Sequence, residues 1–123
     1  MTITLATRLL IAGLLLPLGA AAALLPPAAR AEVDGLLARL QSSACEFNRN
    51  GSWHSAAEAK THLLRKLGYL EDKNLVKTTE QFIELGASKS SASGKPYLVR
   101  CPNAAAVPSG DWLLQQLKAL RGA

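Results

Sequence analysis

Hydrophobic positions recur at helical spacing in four stretches of this chain, and two short runs between them alternate instead. Val33, Leu36, Leu37 and Leu40 fall on one side of a helix predicted from Glu32 to Ser43, with Glu32 and Asp34 at its positive end. Ala56, Ala59, Leu63, Leu67 and Leu70 form a second stripe. That helix is expected over Ala56–Leu67. The capping box Ser55-Ala56-Ala57-Glu58 opens it and Gly68 closes it. Phe82, Ile83 and Leu85 mark a third helix, with Thr78 and Gln81 at capping-box spacing. Leu113, Leu114, Leu117 and Leu120 mark a fourth, anchored by Trp112, capped by Ser109 and with Asp111 in its first turn. The alternating runs are Ala44–Arg49 and Tyr97–Cys101. Asn50-Gly51 ends the first, but alternation does not resume after it. No hairpin partner is therefore expected there.

Cys45 and Cys101 are the chain's two cysteines, one at each strand. Two cysteines allow a single pairing, and an exported protein meets the oxidising conditions in which it persists. Facing cysteines on antiparallel neighbours fix a register. Phe47 must lie opposite Val99, Arg49 opposite Tyr97, Glu46 opposite Arg100 and Asn48 opposite Leu98. Phe47 and Val99 then share the cysteine side, where Arg49 is expected to stack on the Tyr97 ring, and Glu46 meets Arg100 on the other side. The fold class expected is α+β and helix-rich, with three or four helices packed on a two-stranded antiparallel ribbon.

The beginning of the chain modifies this picture. Arg8 is followed by an apolar run from Leu9 to Leu25, interrupted by Pro17, and then by the small-x-small triplet Ala29-Arg30-Ala31. This reads as a cleaved secretory signal over residues 1–31, ahead of one small domain over residues 32–123, with no membrane span left after cleavage. Setting aside Arg8 and Arg30 lowers the formal charge from +5 to +3. Basic residues this scattered, without interleaved aromatics, do not point to nucleic acid.

Two clusters could carry chemistry. His54, Glu58 and His62 are spaced by four residues, so they share a side of the second helix and offer a zinc-like donor set. That side is also the helix's solvated face, and no fourth ligand is evident. No metal or other cofactor is expected. The loop Ser88–Lys95 offers hydroxyls, amides and two lysines to an anion. It departs from a nucleotide loop because Lys89 stands where glycine is needed and Pro96 where the magnesium-binding hydroxyl belongs. Its bland reading is a solvated connector. No nucleophile elbow and no Ser-x-x-Lys occurs.

Arg49-Asn50-Gly51, His54, Glu58-Ala59, His62-Leu63 and Lys66 occur in that order. Thr79-Glu80-Gln81-Phe82-Ile83, Ala87-Ser88, Ser90-Ser91 and Ser93-Gly94-Lys95-Pro96-Tyr97 follow. In this order and spacing the chain resembles the YfeK-like family of small exported bacterial proteins, a domain-of-unknown-function group, from about Cys45 to Cys101. The resemblance implies a bacterial, periplasmic protein and supplies no activity. The disulfide expectation comes from the residues and not from the resemblance. The matching polar positions gather on one expected surface. Arg49, Asn50, His54, Glu58, His62, Ser90, Ser91, Ser93 and Lys95 are therefore the candidate binding residues. The functional expectation is a non-enzymatic binding or accessory protein of the cell envelope, meeting an envelope protein or an anionic ligand. The alternative is a small hydrolase or metal-dependent enzyme using His54, Glu58 and His62.

Overall fold

A computed structural model of the protein describes residues 23–122, so 1–22, the bulk of the expected leader, lie outside the described residues. Among the described residues the chain forms α1 (Pro27–Ser42), β1 (Glu46–Arg49), β2 (Ser52–Ser55), α2 (Ala56–Asp72), α3 (Thr79–Gly86), β3 (Leu98–Arg100), β4 (Val107–Pro108) and α4 (Ser109–Gly122). The class is α+β, but the ribbon is the centre of a four-stranded antiparallel sheet in the order β2-β1-β3-β4. No helix among the described residues is long and apolar enough to cross a membrane.

The central pair has the register that facing cysteines demand. Glu46 lies opposite Arg100, Phe47 opposite Val99 and Asn48 opposite Leu98. The Cys45–Cys101 disulfide closes the end of this ladder, its α carbons 4.0 Å apart, in keeping with the close approach of a non-hydrogen-bonded pair. Phe47 and Val99 are fully buried on the helix side of the sheet. On the other side Arg100 bonds Glu46 at 2.6 Å and lays its guanidinium over the Trp53 ring at 3.9 Å.

Several boundaries depart from the pattern reading, each for a local reason. Asn50-Gly51 does turn a hairpin, with φ of 51° and 87°, the doubly left-handed loop that joins twisted strands most easily. Ser52–Ser55 is too polar to announce itself as a strand, and Ser55 serves both as its last residue and as the cap of α2. The capping box at Ser55 and Glu58 is complete. Gly68 does not end α2, which continues to Asp72 because Leu70 and Glu71 are still buried. The stop is Asn74 in the left-handed region. Leu75 N–H reaches Leu70 C=O at 2.9 Å and Asn74 N–H reaches Glu71 C=O at 3.0 Å, closing a Schellman motif. At α3 only half a capping box forms. Thr78 accepts from Gln81 N–H, while the Gln81 side chain accepts from Lys77 N–H instead of the cap. At α4 the Ser109 hydroxyl is buried without a partner rather than capping the helix.

α1 starts at Pro27, ahead of the expected Glu32, because Pro26 and Pro27 pre-set the first turn. Just before it, Leu25 is buried and its N–H donates to the buried Glu71 carboxylate at 2.8 Å. Val33, Leu36, Leu37 and Leu40 of α1 join Leu63 and Leu67 of α2, Phe82 and Ile83 of α3 and Leu113 and Leu117 of α4 in one core. Arg121 of α4 ties the helices at the surface, bonding Glu32 and Glu80 at 2.7 Å each. Bonds from Arg121, and then from Thr79, hold the Glu32 carboxyl down at about 2.

Candidate functional site

The hydrophobic stripe of α2 faces the core, which leaves Glu58, His62, Arg65, Lys66 and Tyr69 along its outer side. The chain that returns into β3 lies against this side. Tyr97 is buried there at 2% exposure, its ring 5.1 Å from that of Phe47. Its hydroxyl is the joint of the site. Lys66 Nζ donates to it at 3.0 Å and His62 Nε2 lies 3.0 Å away. An ammonium only donates, so the phenol oxygen accepts from Lys66 and its proton is available to His62 Nε2. That arrangement needs a neutral imidazole carrying its proton on Nδ1.

The electrostatics agree. Burial, and then the nearby charges of Arg49, Lys66, Arg65 and His54, push His62 down to about 4. Lys66 also donates to the Lys89 carbonyl at 2.9 Å and sits 4.9 Å from the centre of the Tyr97 ring. Lys66 thus occupies the place over Tyr97 that the register argument gave to Arg49.

The Ser88–Lys95 loop is built rather than loose. Ser90 is buried, and its hydroxyl accepts from Ala92 and Ser93 N–H at 3.2 Å each. Gly94 N–H reaches Ser90 C=O, Ser90 N–H reaches Lys95 C=O, and Lys95 N–H reaches Ser93 Oγ. Ser93 Oγ donates to Asn50 Oδ1 at 2.7 Å, docking the loop on the β1–β2 turn. These bonds engage most of the amides that an anion cradle would use. Contacts to a ligand must then come chiefly from side chains.

Between α2 and this loop lies a cavity of about 270 Å³ lined by His62, Arg65, Lys66, Tyr69 and Ser91. Its rim is cationic. Four other carboxylates are matched by arginines, in Arg30–Asp34, Arg100–Glu46 and Arg121 with Glu32 and Glu80. Among the described residues, Arg49, Arg65, Lys66 and Lys95 have no carboxylate within salt-bridge distance.

The predicted site residues therefore divide. His62 and Ser91 line the cavity, Arg49 acts on His62, and Asn50, Ser90 and Ser93 hold the loop. Lys95 is exposed on that loop. His54 and Glu58 are placed elsewhere in role. His54 Nδ1 is 3.8 Å from Glu58 Oε1, and that carboxylate is engaged by Ser55 N–H and Oγ at the cap, which lowers its pKa. With His62 turned to Tyr97, no three His, Cys, Asp or Glu side chains among the described residues converge on a metal position. Arg65, Lys66, Tyr69 and Tyr97 complete the site beyond the expected set. Their signal was helical spacing, since Arg65, Lys66 and Tyr69 follow His62 by three, four and seven positions.

A larger depression of about 400 Å³ lies beside α4, lined by Val107, Pro108, Trp112 and Leu114, and carries the acidic Asp111 in its wall. It has no comparable group of unmatched cations.

Residues 27–121 match a family described as a family of unknown function (DUF5329), and the chain belongs to that family. It is also similar to the uncharacterized protein YfeK of Salmonella typhimurium strain LT2, with 44% identity over 68 residues. That stretch is 54% of this chain and 55% of YfeK, so the match spans about half of each protein. No solved structure matches the chain.

Proposed function

We propose that this is a small exported binding or accessory protein of the bacterial envelope, without catalytic activity of its own, that takes an anionic group at the α2–loop cleft. The observation that carries the reading is the pair of unmatched cations, Arg65 and Lys66, in the wall of a cavity with no acid in its lining, with the Arg49 charge acting on His62 beside them. Cations left together in this way repel one another, and a bound anion relieves that repulsion. A neutral His62 adds nothing to that repulsion.

The polar groups that most resemble reactive machinery are engaged as supports. The hydroxyl of the buried Tyr97 is engaged by both Lys66 and His62. Glu58 belongs to the cap of α2. These placements favour binding over the hydrolase or metal-enzyme alternative. Export rests on the apolar run and the Ala29-Arg30-Ala31 triplet. Removing residues 1–31 removes no residue of the cleft, since these lie between Arg49 and Tyr97, though it takes away the first turn of α1.

Calorimetric titration with inorganic phosphate at two ionic strengths tests the reading. Binding should weaken as salt rises and weaken further in Arg65→Gln. Equal affinity in wild type and Arg65→Gln, or no binding at low salt, would count against it.

A further inference from the structure

The walls of the cleft are of a different character from its rim. Tyr69 is 59% exposed, a large aromatic standing on the outer side of α2. With the edge of His62 and the hydrocarbon stems of Arg65 and Lys66, it gives the cavity an apolar lining below the charges. Lys73 lies 5.8 Å from the centre of the Tyr69 ring and adds a further cation beside it.

The donors left for a ligand are few. Two bonds of the Lys66 ammonium go to Tyr97 Oη and the Lys89 carbonyl, so one of its three donors remains. The Arg65 fork and the Ser91 hydroxyl complete the set. That suits one compact anionic head and no long run of polar groups. The cavity of about 270 Å³ holds roughly nine waters' share of liquid volume, which limits what else can enter.

Resting on the anion-binding reading above, we propose that the cleft selects an amphiphilic anion. Its head is a carboxylate or a phosphate monoester, placed at Arg65, Lys66 and Ser91. Its body is a short apolar chain or ring packed on Tyr69. A purely polar anion such as phosphate satisfies the rim but leaves the Tyr69 wall wet. An apolar body covers that wall, and each buried methylene tightens binding by about fourfold.

The test is calorimetry on the folded domain with four probes: acetate, hexanoate, inorganic phosphate and hexyl phosphate. Hexanoate should bind at least about tenfold more tightly than acetate, and hexyl phosphate more tightly than phosphate, since several methylenes reach the wall. Tyr69→Ala should erase both advantages, bringing hexanoate down to the affinity of acetate and hexyl phosphate to that of phosphate. Arg65→Gln should weaken all four. If acetate and phosphate bind but the longer probes gain nothing, or if the gain survives in Tyr69→Ala, the amphiphile inference is overturned while the anion site stands. If none of the four binds, the anion reading falls with it. A gain for hexyl phosphate alone or hexanoate alone still supports the inference and assigns the head group.

Discussion

His62 Nε2 and Tyr97 Oη lie 3.0 Å apart, with Lys66 donating to the same hydroxyl, so one buried phenol links α2 to the entry of β3. A phenol that donates to Nε2 needs a neutral imidazole there. Burial, followed by the charges of Arg49, Lys66, Arg65 and His54, lowers His62 from its ordinary value to about 4. The folded protein therefore binds fewer protons than the unfolded chain between about pH 6.5 and 4. The contribution of His62 to stability is complete above that window and is lost as pH falls through it. NMR titration of the ring should give a midpoint near 4, and Arg49→Gln should raise it. A midpoint at the ordinary histidine value would contradict the buried, cation-surrounded placement.

Two glycines should respond in opposite directions to alanine. Gly68 sits inside α2 with open space where a Cβ would go, so Gly68→Ala should stabilise by about 0.5–1 kcal/mol. At Gly110 an added Cβ would meet Ser88 Oγ at 2.5 Å, and that hydroxyl is held by the Ile83 carbonyl. Gly110→Ala should cost about 1–3 kcal/mol. Chemical denaturation reads both. A stabilised Gly110→Ala would mean that Ser88 does not lie against the start of α4.

The Cys45–Cys101 bridge joins residues 56 apart in the chain, so its loss should destabilise by up to about 4 kcal/mol. The double variant Cys45→Ala with Cys101→Ala should keep the β1–β3 register, because the Phe47–Val99 pair and the Glu46–Arg100 bond remain. Free thiols in the oxidised protein, or cross-strand contacts shifted by one residue in the variant, would contradict this.

The segment ahead of Glu32 should contribute to stability wherever it is kept. Leu25 is buried, and its N–H is a partner for the buried Glu71 carboxylate. A chain beginning at Ala23 should be more stable than one beginning at Glu32 by at least about 2 kcal/mol. Equal denaturation midpoints would show that α1 needs nothing before Glu32.

Much of the scaffold was legible because it rests on patterns with hard geometry. Facing cysteines fix a strand register, and Ser55 with Glu58 at capping spacing fixes a helix start. What escaped depended on context. Asn50-Gly51 signalled a hairpin, but Ser52–Ser55 has no apolar alternation, because β2 is an edge strand with little buried face. Gly68 looked like a stop, but continued burial of Leu70 and Glu71 carries the helix past it to Asn74. The proximity of some candidate residues was legible, since His62 and Ser91 share one cavity and the Arg49 charge reaches His62. The cations that line it were not, because Lys66 is held by Tyr97, thirty-one residues further on. His54 and Glu58 share helical spacing with His62, yet the cap claims one and the strand positions the other.

The central claim is that the unmatched cations on α2 form an anion site, and a ¹H–¹⁵N titration of the folded domain with sodium phosphate tests it most directly. Saturable shifts should gather at His62, Arg65, Lys66, Tyr69 and Ser91, and should recede on adding sodium chloride. Shifts spread evenly over all lysines and arginines, or absent from these five residues, would contradict the account.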